Sequence, residues 1–486
     1  MSKSIITPPD SPARTDSHPH RILVVGGSYA GVSGLVNLLH LIDGKPNRPS
    51  PTSTLPDLKG LKSRKGVQVT LLDRRDGFFH TVGAPLAHVS PSHVRSSWRT
   101  YRSIRALRHP NFTFVQGYLK FLDPESLRAT YLTPSGDETC IEYDYLLLCT
   151  GLKRDWPIIP RAADFHSYVA DAEREIKKIQ DAKADATGRR IVVIVGGGAV
   201  GIEFAAEIKL CHPHVHVTLV HSRHELLSSE DMPAAFKQES LRVLRHEGVD
   251  VVLGQRACIT HGEGTSHIVT LSDGTAIHAG HVINATGKTL PSSAFLPAHI
   301  LDEHGFVKAE ETLSFPPSSP HHARHYAAGD ICAWSGVKRA GTALVMAHVA
   351  ATNIMREILL SEKLCYPSNS HIPIDELSLH DTAPATPPSA RSSLDGDNSS
   401  NHEDTAMNKN KPSQTKSADD EPFGPAARFP AVPPMMGLAV GRQAVSWNPY
   451  AAETRSGVEV REMLFGEDLG WRATLKCLGL DEELEV

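Results

Sequence analysis

The sequence predicts an α/β protein made of two similar three-layer, parallel-sheet units, the second inserted into the first, with a small α+β cap at the C-terminal end. Three observations predict it. The stretch 21–41, RILVVGGSYAGVSGLVNLLHL, returns as RIVVIVGGGAVGIEFAAEIKL at 190–210. The strand after each copy repeats as well, VTLLDRRDG at 69–77 answering VTLVHSRHE at 217–225, and a third pair of strand ends, YDYLLLCTG at 143–151 and HVINATG at 281–287, extends the match. In each copy a β-branched or aliphatic run enters glycines and a small-residue helix follows, the strand, tight turn and helix start of a Rossmann-like dinucleotide fold. The glycines permit the turn and let backbone approach phosphate, and the helix N-terminus offers N–H donors and a positive dipole end to an anion.

At 486 residues the chain is too long for one core and suits two to three domains. Hydrophobic residues make up 40% and charged ones 22%, with a net charge of −5, so composition supplies no basic footprint for nucleic acid, and none is assigned as a partner. The seven cysteines are scattered without zinc spacing, which points to a reducing compartment, and no apolar run reaches bilayer length. The expected location is cytoplasmic, with mitochondrial or peripheral membrane association left open.

In chain order, residues 1–19 are polar and Pro/Ser-rich and read as a disordered tail rather than a signal peptide. The first strand is 22–25, its turn 26–28 and its helix 29–41. Residues 43–66, rich in Pro, Ser, Lys and Gly, read as a surface insertion. That insertion explains a spacing anomaly. Asp73 lies 47 residues past Gly26, against about 20 expected for the acid that binds ribose hydroxyls, and the 24 residues of the insertion account for the excess. Short β segments run to Thr150 and Gly151, and a linker leads into a charged helix over 171–183. The first unit thus spans 20–155, the second 156–285, and the first resumes over 286–366, through YAAGDICAW and the long apolar helix 341–360. Residues 367–425, Pro/Ser/Asp/Asn/Lys-rich, read as a disordered linker. The last segment, 426–486, holds enough pattern for a strand pair and a helix or two packed on the rest. Phe429, Met435, Met436, Leu438, Trp447 and Leu464 are its apolar residues of interest, either a membrane-facing surface or the core of the cap.

These motifs resemble the two-dinucleotide-binding-domain flavoproteins, the glutathione-reductase-like architecture shared by pyridine nucleotide-disulfide oxidoreductases and type II NADH dehydrogenases. VVGGSYAG, LLDRRDGFFHTVGAPLA, VGGGAVGIEFAAEI, VTLVHSRHELLSSE, HVINATG, AAGDI and FGEDLG resemble in particular the apoptosis-inducing-factor-like branch that contains the ferroptosis suppressors. The resemblance implies FAD on Gly26, Gly27, Ser28, Tyr29, Ala30 and Gly31, with Asp73 on the adenosine ribose, Thr150 and Gly151 at the strand crossover, and Gly329 and Asp330 on the ribityl-diphosphate part. It implies a nicotinamide cofactor on Gly196, Gly197, Gly198, Ala199, Val200 and Gly201, with Glu203 on the nicotinamide side. Ser28 departs from the pattern, which has glycine there. Where an NAD-preferring fold places an acid, this chain has His221, Ser222 and Arg223, which attract a 2′-phosphate and favour NADPH over NADH unless Arg223 points to solvent.

The implied reaction passes a hydride from NAD(P)H to flavin N5 and electrons onward to a small acceptor such as a quinone, oxygen or a metabolite. The segment FFHTVGAPLAHV carries no cysteine pair, so an internal redox disulfide is not expected. No catalytic acid or base is assigned and no metal is expected. A redox-sensing flavoprotein with little turnover is the alternative, and a homodimer is left open. His80, His88 and His348 sit near the presumed flavin loops, Lys153 and Trp156 near the domain junction, and Cys149 at a strand end where a structural role is expected.

Overall fold

The computed structural model describes residues 18–48, 55–261, 266–287, 290–333, 339–363, 423–430 and 433–480. The expected tail over 1–19 lies outside them except for its last two residues, and the 367–425 linker except for residues 423–425. The protein divides into a body of residues 1–364 and 426–486 and a separate stretch of 365–425. The stretch contributes only a turn over its three described residues.

The body opens with β1 (His20–Val25), whose last four residues are buried, and α1 (Tyr29–Ile42), buried over nearly its whole length. After the insertion come β2 (Val67–Asp73), β3 (Gly77–Phe79), α2 (Ala84–Ala87), α3 (Pro91–Val94), β4 (Trp98–Thr100) and β5 (Phe112–Gln116). An antiparallel meander of β6 (Tyr118–Asp123), β7 (Arg128–Leu132) and β8 (Glu138–Glu142) precedes β9 (Tyr145–Leu148) and the short β10 (Leu152–Lys153). Far along the chain β19 (His325–Ala327) returns to this unit, followed by α7 (Ala340–Ser361). The resulting sheet has the order β19-β9-β1-β2-β5 and is parallel throughout. Parallel strands require crossovers that cover both faces, so its central strands are apolar runs rather than alternating ones.

The second unit starts at α4 (Phe165–Gln180) and continues through β11 (Ile191–Val195), α5 (Ala199–Cys211), β12 (His216–His221), α6 (Ala234–His246) and β13 (Asp250–Leu253). A meander of β14 (Ala257–His261), β15 (His267–Leu271) and β16 (Ala276–Ala279) leads to β17 (His281–Asn284), and β18 (Leu290–Pro291) pairs with β10. The main sheet, β13-β12-β11-β17, is again parallel. The sequence placed the charged helix at 171–183, and the structure starts it six residues earlier. Asp164 caps it, its carboxylate accepting the Ser167 N–H at 2.9 Å, and the neutral first turn FHSYV hides this start from a reading based on charge.

The C-terminal segment forms β20 (Met436–Val440), β21 (Gln443–Asn448), β22 (Glu453–Gly457), α8 (Val458–Leu464) and α9 (Trp471–Leu478). Three strands stand where a pair was expected, because β22, ETRSG, is polar and lacks an apolar signature. Of the apolar residues singled out there, Phe429 and Leu438 are buried, and Met435 and Leu464 stay exposed at 39% and 38%. The sheet joins the core of the second unit, Leu438, Val440 and Val445 packing with Phe204, Ile208 and Val243. One described helix, α7, is long and apolar enough to cross a bilayer, and 78% of that apolar window is buried inside the protein.

Candidate functional site

The two glycine turns are built to one plan. In the first, Gly26 follows β1 at φ +92°, a conformation that suits glycine, and an added Cβ would lie 2.6 Å from the Cys149 carbonyl oxygen. Its N–H donates to Leu72 O at 2.9 Å. The Gly27 N–H donates to Asp73 Oδ2 at 2.6 Å, and the buried Tyr101 hydroxyl donates to Gly27 O at 2.8 Å. A Cβ on Gly31 would stand 1.8 Å from Gly26 O, so this glycine is fixed by helix–strand packing. Ser28 caps α1 through its backbone, Val32 N–H donating to Ser28 O at 2.9 Å, while its hydroxyl makes no capping bond. Ala30 is buried, and a Cβ on Gly329 would lie 3.1 Å from the Ala30 methyl, so the AAGD turn, at φ +82°, presses onto the helix start. Asp330 next to it stands 4.0 Å from the Arg154 guanidinium. Gly151 also adopts positive φ, +63°, and the Thr150 hydroxyl donates to Ser292 O at 3.0 Å.

In the second turn Gly196 has φ +120° and donates to Val220 O at 2.9 Å. A Cβ on Gly201 would meet Gly196 O at 1.9 Å. The Gly197 N–H donates to His221 Nδ1 at 3.1 Å, so the imidazole carries its proton on Nε2, 3.1 Å from the Ser228 hydroxyl. The histidine placed by the sequence on a 2′-phosphate therefore has both ring nitrogens engaged within the turn, which the motif spacing could not show. Arg223, also assigned to that phosphate, reaches Ser228 O at 3.5 Å. The space beyond Gly198 is open, no atom lying within 4 Å of an added Cβ. Ala199 and Val200 form the half-buried start of α5, and burial pushes the Glu203 carboxyl, one turn on, up to about 8, with the Ala439 N–H 3.4 Å from its Oε1.

Both helix starts fit an anionic diphosphate. Neither α1 nor α5 has an acidic residue in its first turn or a side-chain cap, so no local group competes with an anion for the helix N-terminus beside glycines that keep Cβ atoms away.

Between the two turns lies a seam that the motifs did not reveal. The Tyr29 hydroxyl is 3.0 Å from His80 Nδ1 and accepts the Val82 N–H at 3.0 Å, and His80 Nε2 is 3.0 Å from Leu469 O. Burial raises the Tyr29 hydroxyl, and the charges of Asp330 in the first unit and Glu203 in the second raise it further. Phe78 stacks on Trp471 at 5.5 Å. Arg461 of α8 donates to Glu207 of α5 at 2.7 Å with both side chains buried. Tyr101, Arg154, Leu469 and Arg461 carry no local pattern that marks them.

Other candidates have structural employment. The His88 ring donates from Nδ1 to Ala84 O at 2.8 Å, and Trp156 lies edge-on against it at 4.7 Å with its indole N–H 3.4 Å from Glu175. Lys153 belongs to the β10–β18 pair, and His348 is buried in α7. Burial pushes the Cys149 thiol well up, which suits a packing role. Among the described residues no group of three His, Cys, Asp or Glu side chains could hold a metal ion.

A family model described as pyridine nucleotide-disulphide oxidoreductase matches residues 61–351, starting within the insertion and so after the first glycine turn. Oxidoreductase OXR1 of Ajellomyces capsulatus is 33% identical over 478 residues, 96% of this chain and 89% of that protein. Ferroptosis suppressor protein 1 of Homo sapiens is 27% identical over 355 residues, 72% and 83% of the two chains. Among solved structures, NDH2 from Plasmodium falciparum in complex with NADH superposes with a TM-score of 0.59 at 12% identity, covering 96% of this chain and 98% of the other.

Proposed function

The chain belongs to the pyridine nucleotide-disulphide oxidoreductase family and is an FAD-dependent NAD(P)H oxidoreductase, and from that premise we propose that it passes electrons directly to a small acceptor, a quinone foremost, without a redox disulfide. The observation that carries this reading is the pairing of two glycine turns of one geometry with different acceptors for the second glycine, Asp73 Oδ2 in one and His221 Nδ1 in the other. The segment 78–89 contains no cysteine, which supports direct transfer.

In this reading Gly26, Gly27, Ser28, Tyr29, Ala30 and Gly31 hold the FAD diphosphate, Asp73 the adenosine ribose, and Thr150, Gly151, Gly329 and Asp330 the rest of that cofactor. Gly196 to Gly198, with Ala199, Val200 and Gly201, take the nicotinamide dinucleotide, and Glu203 faces its reactive end. FAD, when bound, accepts a hydride from the reduced nicotinamide and gives up electrons to the acceptor. The protein's share is orientation and the choice of charge. Open space at Gly198 accommodates close approach of a phosphate, and Ser28 offers a hydroxyl at the corresponding place. With no acid after β12, Arg223 favours NADPH over NADH.

Stopped-flow reduction with NADH and NADPH, followed by reoxidation with ubiquinone analogues, oxygen and ferricyanide, tests the proposal. Fast reoxidation by the quinone supports it. A purified protein without flavin would refute it, and a flavoprotein that reduces but turns over negligibly with every acceptor would instead be a redox sensor.

A further inference from the structure

We propose that His80 is a positioning residue that ties the C-terminal strap, residues 466–478, to the flavin unit by holding the Tyr29 hydroxyl in one orientation. The inference rests on the first unit being the FAD site.

The donors and acceptors allow one assignment. A carbonyl oxygen only accepts, so the 3.0 Å contact from His80 Nε2 to Leu469 O requires the proton on Nε2. Burial keeps the ring neutral, its value pushed down to about 4, so Nδ1 holds a lone pair. The Tyr29 O–H must then donate to Nδ1 at 3.0 Å, and the Val82 N–H, also at 3.0 Å, takes one of its lone pairs. What remains on the hydroxyl is an acceptor position. Tyr29 therefore stands at the N-terminus of α1 as a fixed acceptor whose proton points to His80.

The strap that sets this tautomer is held at both ends. Trp471 stacks on Phe78 at 5.5 Å and tilts over His80 at 5.0 Å. At the far end Arg48, from the insertion after α1, donates to Leu478 O at 2.8 Å and Cys477 O at 3.2 Å, closing the carbonyl end of α9. Leu469 itself adopts φ +51° between Asp468 and Gly470, a costly conformation for a branched side chain, and that backbone places its carbonyl at His80. A strap made only to cover Phe78 would not need a polar bond beneath its aromatic cover.

The test uses the full chain with ¹⁵N-histidine labelling, the His80 signals being found by their loss in His80→Gln. The expected shifts are those of a neutral Nε2–H ring that does not titrate between pH 8 and 5. In parallel, FAD release is followed by flavin fluorescence. His80→Phe and Tyr29→Phe are each expected to release FAD about fivefold faster, the effect of the one neutral hydrogen bond, Tyr29 to His80, whose loss the two variants share. His80→Gln, whose amide supplies one donor and one acceptor, is expected to return most of that loss. An Nδ1–H tautomer, ordinary titration near 6.5, or equal release from His80→Phe and wild type would overturn the proposal. If the wild-type chain binds no FAD, the functional reading fails, and the nitrogen shifts still decide the tautomer.

Discussion

Set side by side, the two glycine turns differ in one atom type. Gly27 and Gly197 both direct an N–H to the last residue of the next strand, and both strands keep the backbone bond one residue earlier, to Leu72 and Val220. One acceptor is a carboxylate oxygen and the other a neutral imidazole nitrogen. The comparison separates two tasks that the dinucleotide motif usually merges, satisfying the turn's donor and presenting charge to the ribose. In the proposed reading the first unit does both with Asp73. The second satisfies the donor with His221, which in the same reading leaves the charge to Arg223.

The largest expected effect breaks the symmetry outright. Gly31→Val should give a colourless protein, because the side chain would start inside Gly26 O, whereas Gly201→Val should stay yellow and lose reduction by either nicotinamide. Absorbance after purification and a stopped-flow trace distinguish the two units.

A second prediction concerns how the C-terminal segment grips each half. On the second unit it uses the buried Arg461–Glu207 pair, on the first a neutral hydrogen bond. Arg461→Met should cost about 3–5 kcal/mol in urea unfolding by stranding the Glu207 charge, and the double variant with Glu207→Leu should regain most of it. Recovery only on restoring arginine would mean that the guanidinium's bond to Gly466 O matters more.

Converting the second acceptor into the first sharpens the comparison further. His221→Asp should keep the Gly197 bond yet move preference from NADPH towards NADH by about tenfold or more, about 1.4 kcal/mol. Arg223→Ala should move it the same way by less, read from nucleotide dissociation constants.

The smallest effect is in pH. His80, His88, His325 and His348, all in the first unit, are pushed by burial to about 4. A base depressed in the folded state contributes stability that is present above its unfolded value near 6.5 and lost as pH falls from there towards 4. Glu203, raised by burial to about 8, has the opposite sign, its contribution being full below about 4.5 and lost as pH rises to 8. Flavin release should therefore increase on acidification from pH 7 to 5. Glu203→Gln should flatten the loss of stability between pH 5 and 8, seen in thermal melts.

What the sequence made legible was whatever repeats locally. The turns at Gly26 and Gly196, both parallel sheets and the return through 326–331 follow from periodicity and spacing. The lost parts depend on distant partners. His80 meets Leu469 across 389 residues and Arg461 meets Glu207 across 254, and no local window links them. His221 was read by charge alone, and its engagement with Gly197 and Ser228 became visible only when β12 was placed beside the turn. The start of α4 was missed because its cap, Asp164, lies before an uncharged turn.

The first unit is completed by segments from both ends of the chain: β1 begins at His20, β19 joins its sheet at His325, and α9 closes over Phe78 after residue 470. A ribosome thus makes residues 20 to 478 before the first unit can be completed, whereas the second unit's parallel strands are synthesised within about one hundred residues of each other. The growing chain passes through a long interval in which the inner unit's parallel sheet is complete while the outer one waits, and a premature stop between residues 430 and 460 yields both glycine turns but neither strap nor arginine clasp.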